Sequence, residues 1–180
     1  MQIYEALKKD HQEVRGLLAQ LIALDENSKT QARTTLIQAI RDALVPHSRA
    51  EEAVFYNSLR ENASVAGLVA HGYQEHIEAE TILRTLQVAD KVDVGWLKMA
   101  ESLKKALEHH IAEEEGKIFT AAKQIFTSDE AEMLGKAFEG LKPEIKREGI
   151  LATTSELIAN MMPAKFSSAF RKYNLVSRIK

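Results

Sequence analysis

Two copies of the pattern His-x-x-x-Glu, His47 to Glu51 and His110 to Glu114, are the residues of this chain best suited to chemistry. Successive residues of an α-helix are rotated by about 100°, so residues four apart differ by only about 40° and face the same way. Each pair therefore offers an imidazole nitrogen and one or two carboxylate oxygens to a single point. Such ligands suit iron, manganese and zinc, so the two pairs predict metal binding.

Two further histidines, His11 and His76, lie on the apolar stripes of two other helix-like segments. If the four segments pack together, four imidazoles and two carboxylates meet inside one bundle, which is how helical bundles build two-metal sites. If both carboxylates bridge, each of two ions receives two nitrogens and two oxygens. Positions then stay open for a solvent-derived bridge and an exogenous ligand. The predicted metal ligands are His11, His47, Glu51, His76, His110 and Glu114.

A less specific interpretation exists for each of these residues taken alone. One histidine on an apolar stripe is more often a core residue than a ligand, and His-x-x-x-Glu is usually a surface pair. We interpret His109 with Glu113 as such a pair, because His109 is rotated about 100° from His110. His71, about 140° from His76, is also predicted to face outward. The full set favours metal, since burying two carboxylates without a cation costs several kcal/mol each. The alternative is a structural bundle with incidental metal affinity.

Apolar residues at spacings of three and four predict four long helices with short connections. The predicted fold class is therefore all-α, an up-down-up-down four-helix bundle occupying residues 1–126. Its helices are predicted over residues 1–24, 30–60, 65–88 and 96–126. Pro46 predicts a kink or break just before His47, because proline inside a helix costs about 3 kcal/mol.

Residues 127–180 are predicted to form a C-terminal helical extension. Thr127 and Glu130 match a capping box, and the helix that follows is predicted to end near residues 140–143. From residue 157 onward the chain has five basic and no acidic residues, a charge of +5 against −7 for the rest. We expect this tail to pack on the acidic bundle as an extra helix. An acidic partner or an anionic lipid surface is the alternative.

The composition excludes several other classes of function. The chain has 180 residues, 45% hydrophobic and 28% charged, which suits a soluble domain with a substantial core. It has no cysteine, so disulfides, zinc fingers and thiolate-ligated clusters are excluded. A net charge of −2 argues against nucleic-acid binding. No apolar run is long enough to cross a bilayer and no signal-peptide pattern is present, so the expected location is the cytoplasm.

The stretches around the predicted ligands resemble the hemerythrin-like family, also called the HHE cation-binding domain. The resemblance covers roughly residues 1–126 and is carried by residues 10–11, 47–56, 75–77 and 110–119. It implies a four-helix bundle that holds a non-haem di-iron centre. The four histidines would be terminal ligands, and Glu51 and Glu114 would be bridging carboxylates. Two iron ions with an oxo or hydroxo bridge are the expected cofactor, with manganese or zinc as alternatives.

One position departs from the oxygen-carrying members of that family, which have two histidines four residues apart on the third helix. The earlier position is Gly72 in this chain, so one ion would be less saturated. Glu80, or His71 after rearrangement, is a candidate to fill the vacancy. Tyr4 and Tyr56 lie near the site by spacing, either as hydrogen-bond donors to a bound ligand or as core residues.

These observations predict a di-iron protein that binds or senses a small molecule such as O2, NO or H2O2. If it is an enzyme, it is an oxidoreductase that turns such a molecule over. The alternative is a metal-responsive regulatory or interaction module without catalysis. The sequence contains no serine–histidine–aspartate pattern and no glycine-rich phosphate loop. It does not predict the oligomeric state.

Overall fold

The computed structural model describes residues 1–25, 28, 30–89 and 92–148. Helices account for most of these residues, and no strand occurs among them. The predicted all-α fold class is confirmed. None of the described helices carries an apolar stretch long enough to cross a membrane.

The bundle is formed by long helices joined by short connections. In chain order its α-helices are α1 (Ile3–Ile22), α2 (Thr30–Glu51), α3 (Asn57–Leu59), α4 (Ala66–Val88), α5 (Val94–Glu113) and α6 (Phe119–Ile125). Two π-helical turns, Glu52–Tyr56 and Glu114–Ile118, join α2 to α3 and α5 to α6, so each of these pairs forms one long bundle helix. Because α1 and α4 each pack against both α2 and α5, the four long helices surround one interior.

The two π-turns are a feature that helical periodicity did not predict. Each begins at the end of a predicted His-x-x-x-Glu pair, and the sequence predicted uninterrupted helices there. A π-turn inserts one residue into a helical turn and changes which side chains downstream face the core, and such turns are frequent at functional sites. Residues 53–56 are all buried in the first of them, and this turn is also covered by the helix that follows the bundle.

Of the kink or break predicted at Pro46, the break is wrong. Helix α2 continues through Pro46 to Glu51 and is packed against α1, α4 and the helix that follows the bundle. Most helix stability in a folded protein comes from packing of an apolar face, and here that packing outweighs the missing backbone donor. His47 therefore directly follows the proline within an unbroken helix.

The extension begins with α7 (Ser128–Glu148), which packs against α1 and α2. The predicted capping box is present, because the Glu130 amide donates to the Thr127 hydroxyl and the Thr127 amide donates to the Glu130 carboxylate. The predicted end near residues 140–143 is wrong. Buried Leu141 and Ile145 hold the helix against the bundle on both sides of Pro143. The basic segment from residue 157 lies outside the described residues.

The interior consists of two apolar clusters with a polar layer between them. On the first helix, Leu7 belongs to one cluster and Val14 to the other, and His11 lies between them. On the fourth helix the order along the chain is reversed, with Leu107 of the second cluster before the predicted ligand pair and Ile118 of the first cluster after it. Buried polar groups in the middle of such a core are costly unless they are paired or bind a metal.

Candidate metal centre

The structure brings all the predicted ligands together in this polar layer. Each is at most 3% exposed, and every long bundle helix contributes at least one. In chain order they are His11 on α1, His47 and Glu51 on α2, His76 on α4, His110 on α5 and Glu114 at the start of the second π-turn. The stripe positions chosen from helical spacing are therefore all interior.

The four imidazoles form two pairs. The rings of His11 and His47 have centroids 5.1 Å apart, and those of His76 and His110 have centroids 4.7 Å apart. In the second pair the two Nε2 atoms are 3.2 Å from each other. Two ring nitrogens that face each other at this distance form a natural chelate for one cation.

Glu51 connects the two pairs. One of its oxygens is 3.5 Å from His47 Nε2 and 3.3 Å from His76 Nε2. Glu114 has an oxygen 3.1 Å from His11 Nε2. None of the four oxygens of these two buried carboxylates makes a hydrogen bond. Buried carboxylates without donors are the partners that metal cations require, so the residues present fit a metal centre.

Every one of the four histidines uses its other ring nitrogen to contact a carboxylate on an adjacent bundle helix. The Nδ1-to-oxygen distances are 2.9 Å for His11 with Glu115, 3.2 Å for His47 with Asp10, 2.9 Å for His76 with Glu52 and 2.9 Å for His110 with Glu75. An ionised carboxylate only accepts, so in the neutral form of each ring Nδ1 carries the proton and Nε2 keeps its lone pair. All four lone pairs are then directed into the polar layer. Metal-ligating histidines almost always make this second hydrogen bond.

These outer carboxylates form a closed circuit around the bundle. Asp10 on the first helix contacts His47 on the second, and Glu52, which follows α2, contacts His76 on the third helix. Glu75 on the third helix contacts His110 on the fourth, and Glu115, which follows α5, contacts His11 on the first. Each bundle helix thus both carries a predicted ligand and provides a carboxylate that contacts the histidine of its neighbour. Helical spacing alone predicts no role for these acidic residues. The sequence does contain one indication of their position, because each of these acidic residues is adjacent to a predicted ligand.

The electrostatic environment favours neutral imidazoles on two of the helices. Burial lowers the pKa of His47 to about 4, although the contact with Asp10 opposes this. Burial also lowers the pKa of His76 below its usual value, against the influence of Glu52. Both rings are therefore neutral near pH 7, which is the form that binds a metal ion.

The two interior carboxylates influence each other. Burial raises the pKa of Glu51 well above its usual value, and the charge of Glu114 raises it further. Burial also opposes ionisation of Glu114, but its contacts with Glu51 and His11 outweigh this and lower its pKa. Two neighbouring buried carboxyl groups do not both ionise readily, so one of them holds a proton when no cation is present. A metal ion removes the conflict, because it stabilises both carboxylates in their ionised form.

Tyr56 occupies the space beside Gly72, where the sequence lacks a side chain. A Cβ atom at Gly72 would lie 2.5 Å from the Tyr56 hydroxyl oxygen and 2.8 Å from two carbons of its ring. The same ring stacks on His76 with centroids 5.6 Å apart and planes inclined by 8°. The hydroxyl is buried and has no hydrogen-bond partner. Tyr56 therefore fills the position that a second histidine would occupy on the third helix.

The other residues considered for this vacancy lie elsewhere. Glu80 is paired with Arg49 at 2.6 Å, and His71 has a side chain that is 49% exposed. Tyr4 packs its ring against Phe55 and Phe119. Burial raises the pKa of Tyr4 to about 12, so it stays protonated. These contacts give Tyr4 a packing role, and its hydroxyl, like that of Tyr56, is buried without a hydrogen-bond partner.

Helix α7 also contacts the centre, which the sequence analysis did not predict. Lys142 donates to both oxygens of Asp10, at 2.9 and 2.8 Å, and Asp10 in turn orients His47. The ring of Phe138 meets the ring of His47 edge-on, with centroids 5.6 Å apart. The helix that follows the bundle therefore helps to position one of the predicted ligands.

Replacing Glu115 by glutamine is expected to weaken metal binding about 10- to 100-fold, the usual cost of losing an outer partner of a ligating histidine. Glutamine keeps the size of the side chain and removes the charge that holds the proton on His11 Nδ1. Equilibrium dialysis with Mn²⁺ measures the affinity. The control is Glu101→Gln, which changes an exposed carboxylate of α5. Equal affinities for both variants would show that Glu115 does not support the centre.

The comparison with protein families agrees with this geometry. The model of the hemerythrin HHE cation-binding domain matches residues 2–122, a range that includes all of the predicted ligands and ends before α7. No curated protein and no solved structure matches the chain. A cation-binding family and a buried cluster of Glu51, His76 and His110 that could hold an ion together support metal binding. The chain belongs to the hemerythrin HHE cation-binding domain family.

Proposed function

We propose that the chain is a non-haem di-iron protein that binds a small molecule such as O2, NO or H2O2. The observation that carries the proposal is the set of four buried histidines whose Nδ1 atoms all contact carboxylates. Beside them lie two buried carboxylates without hydrogen-bond partners. A structural core would not keep six such groups together without a compensating charge.

The pairing of the histidines supports an assignment of ligands to two ions. One ion would be held by His11 and His47, and the other by His76 and His110. Glu51 is suited to bridge them because one of its oxygens contacts a histidine of each pair. Glu114 would be the second bridge, starting from its contact with His11.

The donor set is compatible with iron. Neutral imidazoles and carboxylates without any thiolate suit iron and manganese, and also zinc. Two nitrogens and two bridging oxygens leave an octahedral ion with open positions for a small ligand. Iron, when bound, supplies redox chemistry toward oxygen, peroxide or nitric oxide.

Tyr56 is the residue of this chain placed to interact with such a ligand. Its hydroxyl is buried, has no acceptor and lies on the side of His76. Burial, together with the surrounding carboxylates, raises the pKa of Tyr56 well above its usual value, so the hydroxyl keeps its proton. It can donate a hydrogen bond to a small molecule held beside His76.

The test is metal analysis followed by absorption spectroscopy. Protein purified without added metal is analysed, loaded anaerobically with Fe²⁺, and then exposed separately to O2, H2O2, azide and NO. We expect about two iron ions per chain and a distinct absorption change with at least one ligand. An iron-loaded protein whose spectrum responds to none of them would refute the proposal.

Replacing Tyr56 by phenylalanine is expected to leave the iron content unchanged and to speed ligand dissociation by about tenfold. The lost hydrogen bond is worth about 1 to 1.5 kcal/mol, which corresponds to that factor. Stopped-flow release of azide or NO measures the rate. The control is Tyr73→Phe, whose hydroxyl donates to the Glu52 carbonyl outside the ligand set. Identical rates in the two variants would exclude a role for the Tyr56 hydroxyl.

A further inference from the structure

We propose that the chain has a second metal site, on its surface, that binds a single divalent cation such as Zn²⁺. Its ligands are His71 and Glu75 from α4 and His109 and Glu113 from α5. None of them belongs to the set that forms the buried centre. The site does not depend on the identity or the number of ions in that centre.

The geometry is that of two His-x-x-x-Glu pairs on packed helices. His71 Nε2 is 3.5 Å from a Glu75 oxygen and 3.7 Å from a Glu113 oxygen, and His109 Nε2 is 3.7 Å from the same Glu75 oxygen. One donor atom from each of the four residues lies within 4.8 Å of the others. The His109–Glu113 pair predicted from sequence is indeed on the surface, but it meets a second pair of the same kind.

An unpartnered oxygen gives independent support. The Glu75 side chain is only 10% exposed, and its Oε2 accepts a hydrogen bond from His110. Its Oε1 is buried and has no hydrogen-bond partner, although it lies between His71 and His109. A buried acceptor left without a partner costs about 1 to 3 kcal/mol. A cation bound by the two imidazoles would satisfy this oxygen.

The ligand types of this site and the exposure of its two histidine side chains suit zinc. Two imidazoles and two carboxylates form a four-coordinate set with zinc bonds of about 2.0 to 2.2 Å, so the donors must move inward by about an ångström. His71 and His109 are free to do so, because their side chains are 49% and 63% exposed. An ion reaches this site directly from solvent.

Glu75 connects the surface site with the interior. One of its oxygens would bind the surface ion while the other orients His110. Binding at the surface would draw charge away from the acceptor of the His110 hydrogen bond. Occupancy of the exposed site would in this way change the hydrogen bond that orients His110.

The test compares zinc binding by the full chain and by the double variant His71→Ala/His109→Ala. Zn²⁺ is titrated against a chromophoric chelator, which counts the ions bound and gives their affinities. We expect the double variant to bind one ion fewer than the wild type, with affinity for that ion reduced more than about 100-fold. This exceeds the loss on removing an outer partner, because two direct ligands are absent.

The matched control is Glu108→Gln, which removes a half-exposed carboxylate next to His109 that pairs with Lys104. It should bind as many zinc ions as the wild type. Circular dichroism and thermal unfolding check the fold of each variant, and His109→Gln alone provides the same comparison if the double variant is unstable. Equal stoichiometry and affinity in the wild type and the histidine variants would overturn the proposal.

Discussion

Replacing Glu51 by glutamine is expected to stabilise the ion-free protein and to remove the stabilisation that metal gives. Glu51 is fully buried, and its carboxyl group has a raised pKa caused by burial and by Glu114. An acid whose pKa is raised in the folded state binds a proton more tightly there than in the unfolded chain. The free energy of unfolding therefore falls as the pH rises above the unfolded pKa, by about 1.4 kcal/mol per pH unit up to the folded pKa.

Glutamine has the shape of protonated Glu51 and cannot ionise, so it removes this penalty. At pH 7 and in the presence of a chelator, we expect Glu51→Gln to be more stable than the wild type by about 1 to 3 kcal/mol. The difference should shrink toward pH 5. With metal the order reverses, because a ligand at about 1,000 times its dissociation constant adds about 4.1 kcal/mol to the wild type. The variant lacks the carboxylate that is proposed to bridge the ions, so it should gain little.

Denaturant unfolding with a chelator and with Mn²⁺ measures both effects, and metal analysis of the same samples reports occupancy. The control is Glu78→Gln on an exposed face of α4, which should follow the wild type in both conditions. If metal stabilised Glu51→Gln as much as the wild type, Glu51 would not be a ligand. If the ion-free variant were no more stable, the burial penalty on this carboxyl group would be absent.

The positions of the helices and of the inward histidines could be predicted because they depend on local periodicity. His47 and Glu51 face the same way in any α-helix, whatever lies opposite them. The apolar residues around His11 and His76 indicate which side of each helix is buried. One sequence is therefore sufficient to place these side chains in the interior.

The outer carboxylates could not be assigned in the same way, because each acts across two helices. Asp10 orients His47 and Glu75 orients His110, and these contacts depend on the register between packed helices. The continuous helix through Pro46 has a similar cause, since contacts with other helices outweigh a local preference. Features that arise from packing between elements are not encoded in the spacing of one element.

The role of Gly72 also could not be predicted from its own helix, because the side chain that explains it, that of Tyr56, belongs to another helix. The sequence indicated only a missing histidine and an unsaturated ion. The structure adds that the Tyr56 ring lies over both Gly72 and His76, in the space where a side chain would project. Gly72 and Tyr56 therefore form one unit, and a change at either position should depend on the other.

Replacing Gly72 by alanine is expected to destabilise the protein by about 1 to 3 kcal/mol, the usual cost of overpacking a core. Glycine to alanine inside a helix ordinarily stabilises by about 0.5 to 1 kcal/mol. The sign reverses here because the new Cβ would lie 2.5 Å from the Tyr56 hydroxyl, and the stacked His76 restricts the movement of the ring. Gly16→Ala is the matched control, since no atom lies within 4 Å of its Cβ position, and it should stabilise.

A double-mutant cycle with Tyr56→Ala separates this clash from a general effect of the substitution. Tyr56→Ala alone should cost about 3 to 5 kcal/mol, because it removes a buried aromatic ring. In the Tyr56→Ala background the new Cβ of Gly72→Ala no longer clashes with the Tyr56 ring, so the substitution should become neutral or stabilising. The free energies of unfolding of the two changes should therefore couple by more than 1 kcal/mol. Equal effects of Gly72→Ala in both backgrounds would contradict this arrangement. The same reasoning predicts that a histidine at position 72 restores the pattern of the oxygen carriers only when Tyr56 is removed, because the two side chains require the same space.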